Sequence, residues 1–101
     1  MILEIVNVQI RPDSHVAFQD AVARGVKEVL FKAEGFINFE FFQGIEDANV
    51  YTFHVYWHNL DNHTVTFRQG PLFPEWRSYI GDFFAGTPDV KHVSSIMKIQ
   101  M

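Results

Sequence analysis

Apolar positions follow strand-like spacing in four stretches of this chain and helical spacing between them. Ile2 to Ile10 is rich in β-branched residues and stops at Arg11-Pro12, which predicts a strand closed by proline. From Asp13 or Ser14 onward, Phe18, Val22, Gly25 and Val29, and beside them Ala21, Val26, Leu30 and Ala33, recur at three- and four-residue steps. That spacing predicts a helix stopped by Gly35. Asp20, Arg24, Glu28 and Lys32 fall four apart with alternating sign and mark its solvent face. Phe36 to Gln43 predicts a second strand, and the turn residues of Gly44 to Asn49 join it as a hairpin to a third, Val50 to Trp57. Asn59 and Asp61 are cap candidates for a short helix from about Leu60 to Gln69. Gly70-Pro71 breaks it, and another helix follows from about Leu72 to Phe84. Past the loop residues Gly86, Pro88 and Asp89, Val90 to Gln100 alternates as a last strand.

The order β-α-β-β-α-β, with its second helix broken in two, predicts an α+β, ferredoxin-like fold. One domain over residues 1–101 would hold a four-stranded antiparallel sheet with helices on one face. Strand parity places Ile37, Phe39 and Phe41 on one side, and Phe36, Asn38, Glu40 and Phe42 on the other. In the third strand Tyr51, Phe53, Val55 and Trp57 oppose Val50, Thr52, His54 and Tyr56. Neither side is plainly solvent-like. A two-layer domain with two apolar sheet faces predicts a homodimer through the open face.

Composition narrows the partners. Apolar residues make up 48% of the 101, and eleven are Phe, more rings than a two-layer monomer can readily hide. Net charge is −4, and eight Lys and Arg are spread along the chain without a basic stripe, which argues against nucleic acid. There is no Cys, so disulfides, thiolate metal sites and Cys nucleophiles are excluded. No apolar run reaches membrane-spanning length and the apolar start lacks a basic flank, so no membrane association and a cytoplasmic location are expected. The stretch from Trp57 to His92 concentrates two Trp, four Phe, three His and two Arg. Such a mixture suits an apolar cavity with a few polar groups in its wall, open to a small apolar or aromatic ligand.

The chain resembles the antibiotic biosynthesis monooxygenase superfamily, a branch of the dimeric α+β barrel proteins. The resemblance is carried by Arg11-Pro12-Asp13 after the first strand, Gly35-Phe36 at the second and Trp57 at the end of the third. It continues in His63-Thr64-Val65, Phe67-Arg68, Pro71, Phe73, Trp76-Arg77, Phe83-Phe84, Pro88 and His92. It implies a ferredoxin-like monomer, two sheets meeting face to face as a dimer, and a pocket between sheet and helices. Members of such a superfamily range from cofactor-independent oxygenases of quinols and aromatic polyketides to haem-degrading oxygenases, sugar-phosphate isomerases and proteins without known activity. The Asn, Trp and His implied by the haem-degrading branch fall here on Val6, Phe67 and Arg77, so haem degradation is not expected.

Several side chains could carry chemistry. His63 is a candidate base or hydrogen-bond donor, or else packs its helix, and Arg68 is a candidate anion clamp, or else pairs with Asp61, Glu75 or Asp82. Glu40, His54 and Tyr56 could bring a carboxylate, an imidazole and a phenol together across the hairpin, either as a base site or as a buried network at the dimer interface. Phe67, Phe73 and Trp76 are candidate substrate-wall residues, although the stripe of Phe73, Trp76 and Ile80 at helical spacing is more often core than ligand wall. His92 faces either pocket or partner, His15 is expected in solvent, Arg77 in an ion pair, and Trp57 in packing. The five His match no metal-ligand pattern, so neither metal nor cofactor is expected. The favoured function is a cofactor-independent monooxygenase of small electron-rich aromatics or quinols, with His63, Glu40 and His54 as catalytic candidates. The alternatives are a non-catalytic dimeric ligand-binding or stress-associated domain, and an isomerase.

Overall fold

The computed structural model describes all 101 residues. β1 (Ile2–Gln9), β2 (Phe36–Gln43), β3 (Val50–Trp57) and β4 (Asp89–Val93) form one antiparallel sheet in the order β2-β3-β1-β4. Helices α1 (His15–Glu28) and α2 (Leu72–Ile80) pack on one face of it. This is the expected ferredoxin-like α+β arrangement. The result is a two-layer slab of 39 × 37 × 22 Å. No helix is long and apolar enough to cross a membrane.

Alternation in the two central strands builds the core. Val6, Val8 and Ile10 of the first strand and its extension, with Tyr51, Phe53, Val55 and Trp57 of β3, are buried against Phe18, Val22 and Val26 of α1. The two helices meet at Gly25, where an added Cβ would lie 2.9 Å from Cζ3 of Trp76. After Glu28 the helix tightens into a 3₁₀ turn, Leu30–Lys32, and Gly35 at φ +81° turns the chain into β2, a conformation that favours glycine.

Three local expectations change. A bulge between Phe36 and Asn38 adds one residue to β2, so Phe36 pairs with Trp57 and packs on the core, while Ile37 is exposed. The strand expected through Gln100 stops at Val93, because Val93 pairs with Leu3 and β1 has almost no chain left to hydrogen-bond with further residues. His15 is half-buried rather than free in solvent. Its Nδ1 is 2.8 Å from Tyr51 Oη and its Nε2 3.1 Å from Asn49 Oδ1, which satisfies a buried phenol.

Candidate functional site

β1 carries a carboxylate on its buried side. Glu4 shares the parity of Val6, Val8 and Ile10, pairs with Val55 on one flank and His92 on the other, and is only 7% exposed. Trp57 Nε1 donates to Glu4 Oε1 at 2.9 Å. Glu4 Oε2 lies 3.2 Å from His63 Nε2, and the other nitrogen of that ring, Nδ1, is 2.8 Å from His92 Nε2. The His63 ring stacks on the Trp57 indole, with centroids 5.3 Å apart and planes inclined at 22°. Trp57, Glu4, His63 and His92 therefore form one hydrogen-bonded line.

Burial sets the charges on that line. Desolvation pushes the Glu4 carboxyl from 4.5 up to about 7, against the pull of the Trp57 hydrogen bond and the Arg68 charge. Desolvation likewise pushes His63 from 6.5 down to about 4, helped by His92 and Arg68. His92 is lowered by the same two causes, burial first and Arg68 second. Glu4 and His63 sit within ion-pair distance, yet His63 is neutral at pH 7. The contact is a hydrogen bond to a neutral imidazole, because the cost of burying both charges exceeds their attraction. Two proton arrangements satisfy it. Glu4 as carboxylate accepts from His63 Nε2–H, and His63 Nδ1 then accepts from His92; or protonated Glu4 donates to Nε2, and Nδ1–H donates to His92.

His63 comes from an unusual turn. Asn59 and Asn62 cap it reciprocally, each backbone N–H donating to the other's Oδ1, at 3.2 and 2.9 Å. The segment Asn62–Phe67 is π-helical, and Arg68 N–H donates to the His63 carbonyl at 2.9 Å, a five-residue step. In an α-helix residues five apart point about 140° away from each other. The wider turn puts His63 and Arg68 on the same side, so both reach one cavity.

That cavity lies between sheet and helices. Its wall includes Glu4, Phe53, Trp57, His63, Phe67, Arg68, Phe73, Trp76 and Arg77. About 60 Å³ of it is open to the centre of a water molecule. At roughly 10–15 Å³ per water that is about four to six waters, a displaced volume of roughly 120–180 Å³, enough for a substituted ring. The guanidinium of Arg68 lies over the Phe73 ring at 5.0 Å and that of Arg77 over Phe84 at 5.2 Å.

Of the residues singled out in the sequence, His63, Phe67, Arg68, Phe73 and Trp76 line this cavity, and His92 is hydrogen-bonded to His63 from behind. Glu40, His54 and Tyr56 do not join them. Glu40 does face His54 across the β2–β3 ladder, and Phe42 lies 4.7 Å from the His54 ring, but their parity puts all four on the open sheet face, with the whole sheet between them and the cavity. Glu4 is the residue the sequence reading passed over, and Trp57 proves to be a donor as well as a packing residue. The readable signal was an acidic residue at buried parity in β1. The cluster is not a chelate: Glu4 and His92 bind opposite nitrogens of one ring, and no group of three or more His, Asp and Glu could hold a metal ion.

A fold of this kind has counterparts. The profile of the family described as antibiotic biosynthesis monooxygenase matches residues 1–79. The chain belongs to that family. An antibiotic biosynthesis monooxygenase family structure from Bordetella bronchiseptica is 33% identical, covers 95% of this chain and 97% of its own, and superposes with a TM-score of 0.89. The uncharacterised Bacillus subtilis (strain 168) protein YczJ is 25% identical over 96 residues, 95% of this chain and all of its own. More distant in sequence but alike in fold is the Streptomyces coelicolor monooxygenase from the gene ActVA-Orf6, solved with nanaomycin D. It is 16% identical, covers 99% of this chain and 91% of its own, and has a TM-score of 0.83. For this antibiotic biosynthesis monooxygenase family member, the cavity-lining residues from Glu4 to Arg77 fall inside the matched residues, whereas Ile80, Phe84, Pro88, Val90 and His92 lie beyond them.

Proposed function

We propose that the protein is a cofactor-independent monooxygenase of small, electron-rich phenols or quinols. The observation that carries this reading is a carboxyl titrating near 7, hydrogen-bonded to a neutral histidine inside an aromatic cavity. A base poised near the working pH is what abstraction of a phenolic proton requires. Glu4 as carboxylate takes the ring hydroxyl's proton. The phenolate then gives an electron to dioxygen, and the radical pair joins at a ring carbon. The peroxide takes a proton, and loss of water leaves a quinone, so phenol plus oxygen gives quinone plus water. Arg68 stabilises the developing anion, and the aromatic wall keeps bulk water from the reacting ring. His63 holds Glu4 and passes protons to His92, which is half-buried and outside the cavity wall.

The reading extends to assembly: a homodimer through the open sheet face. That face carries Leu3, Ile5, Phe42, Tyr56 and Val93 by parity, with Thr52 Oγ1 donating to Asn7 Oδ1 at 2.7 Å among them. Its mixed apolar and internally satisfied polar groups suit a second sheet better than water.

Oxygen uptake with a panel of hydroquinones and naphthols tests the activity. Uptake with quinone formation, abolished by Glu4→Gln, is expected. A panel that stabilises the fold against heat without any oxygen uptake would instead assign a ligand-binding role.

A further inference from the structure

The cavity has a cationic group at more than one place, and the phenol chemistry accounts for only one of them. Arg68 acts on the Glu4, His63 and His92 line, lowering all three groups through its charge. Arg77, from α2, borders the same cavity beside Phe84, Ile80 and Pro88. Neither arginine is within ion-pair distance of any Asp or Glu; the one Lys or Arg salt bridge in the molecule joins Arg24 to Asp20. The ion pair the sequence suggested for Arg77 does not form within the chain. In a protein of net charge −4, two unpaired guanidinium groups on one cavity wall leave local positive potential where the overall charge opposes it. Each guanidinium lies over an aromatic ring of that same wall.

We propose that the pocket takes a single-ring hydroxyaryl carboxylate, with the hydroxyl toward Glu4 and Arg68 and the carboxylate against Arg77. The assignment of the hydroxyl end rests on the phenol-oxidising reading above. The carboxylate end rests on Arg77 alone, since a planar guanidinium matches a carboxylate with two parallel hydrogen bonds. The cavity volume admits one substituted ring. Arg77 is then the residue that sets specificity, and Arg68 the one that serves the reacting hydroxyl.

The chain's two tryptophans, Trp57 and Trp76, both line the cavity, so their fluorescence reports occupancy directly. Binding of hydroquinone and of 2,5-dihydroxybenzoate is measured without oxygen at pH 7.5 and low salt, for the wild type, Arg77→Gln and Arg77→Lys. The carboxylated compound is expected to bind about tenfold more tightly to the wild type. Arg77→Gln should erase that preference while leaving hydroquinone affinity within about twofold, and Arg77→Lys should keep part of it. Equal affinities in the wild type, a preference that survives Arg77→Gln, or no binding of either compound would overturn the proposal. Oxygen uptake, measured separately, distinguishes the two readings. Arg77-dependent binding without uptake leaves the carboxylate end of this inference standing and removes the oxygenase. Uptake with hydroquinone and no carboxylate preference does the reverse.

Discussion

Replacing Glu4 by Gln should make the protein more stable at neutral pH, and the gain should grow with pH in a defined window. Folded, the Glu4 carboxyl titrates at about 7; its ordinary value is 4.5. Because the folded value is raised, Glu4 contributes stability that is complete below about 4.5 and is lost as pH rises through about 7. At about 1.4 kcal/mol per pH unit, the loss amounts to about 3 kcal/mol, a large part of the stability of a small domain. His63 has the opposite sign. Its folded value of about 4 lies below the ordinary 6.5, so its contribution is complete above 6.5 and is lost as pH falls through about 4. His92, also lowered, adds to the loss on the acid side. Between about 4.5 and 6.5 the Glu4 and His63 slopes cancel, and the lowered His92 leaves wild-type stability rising with pH in the upper part of that window. Glutamine keeps the local geometry: its carbonyl accepts from Trp57 Nε1, and its amide donates to His63 Nε2. Urea unfolding of both proteins from pH 4 to 8.5 isolates Glu4, since the histidine contributions are common to the pair. The stability difference should climb by about 3 kcal/mol in favour of Glu4→Gln between pH 4.5 and 7.5, then stay constant. A difference that does not vary with pH would show that Glu4 is not a desolvated carboxyl, and the base at the centre of the mechanism would go with it.

Further outcomes follow from the same geometry. For wild-type turnover, kcat/KM should rise with pH and level off above about 7 as Glu4 ionises; a profile flat from pH 5 to 8 would count against Glu4 as base. His92→Phe should lower kcat by roughly tenfold or more with KM little changed, because His92 meets His63 but does not line the cavity. Loss in KM alone would deny it a part in proton transfer. Gly25→Ala sets a helix-propensity gain of up to about 1 kcal/mol against an overpacking cost of about 1–3 kcal/mol, since the new methyl meets the Trp76 ring at 2.9 Å and Tyr79 Cβ at 3.2 Å. A net loss in thermal unfolding, together with a changed Trp emission, is expected; a more stable variant with unchanged emission would show that the helices can separate freely. Phe42→Lys, on the open sheet face, should convert dimers to monomers in sedimentation at micromolar concentration, and an unchanged mass would place the interface elsewhere.

Period-2 and period-3.6 patterns were enough for the order of elements, because the residues of β1, β3 and α1 bury one side each and nothing local competes. What escaped the sequence lay where the repeat itself changes. One bulged residue in β2 reverses the direction of Phe36, and no side chain there announces it. Alternation in the tail continued past the last residue of β1 available for pairing, so the pattern outran its partner. The site shows the same division. His63, Arg68 and the aromatic wall were visible as residue types, but an α-helical spacing of five sets His63 and Arg68 apart, and only the π turn reunites them. Glu40 and His54 were an attractive pair on paper and are partners in register, yet a sheet has two faces and theirs is the one without a cavity. Glu4 stood at a buried parity all along. A carboxylate there costs stability at neutral pH, as the Glu4→Gln comparison would measure, and local stability gains nothing from it. On the proposed reading such a residue serves chemistry in the cavity, and a carboxyl whose burial opposes its charge is the first to replace when activity is assayed.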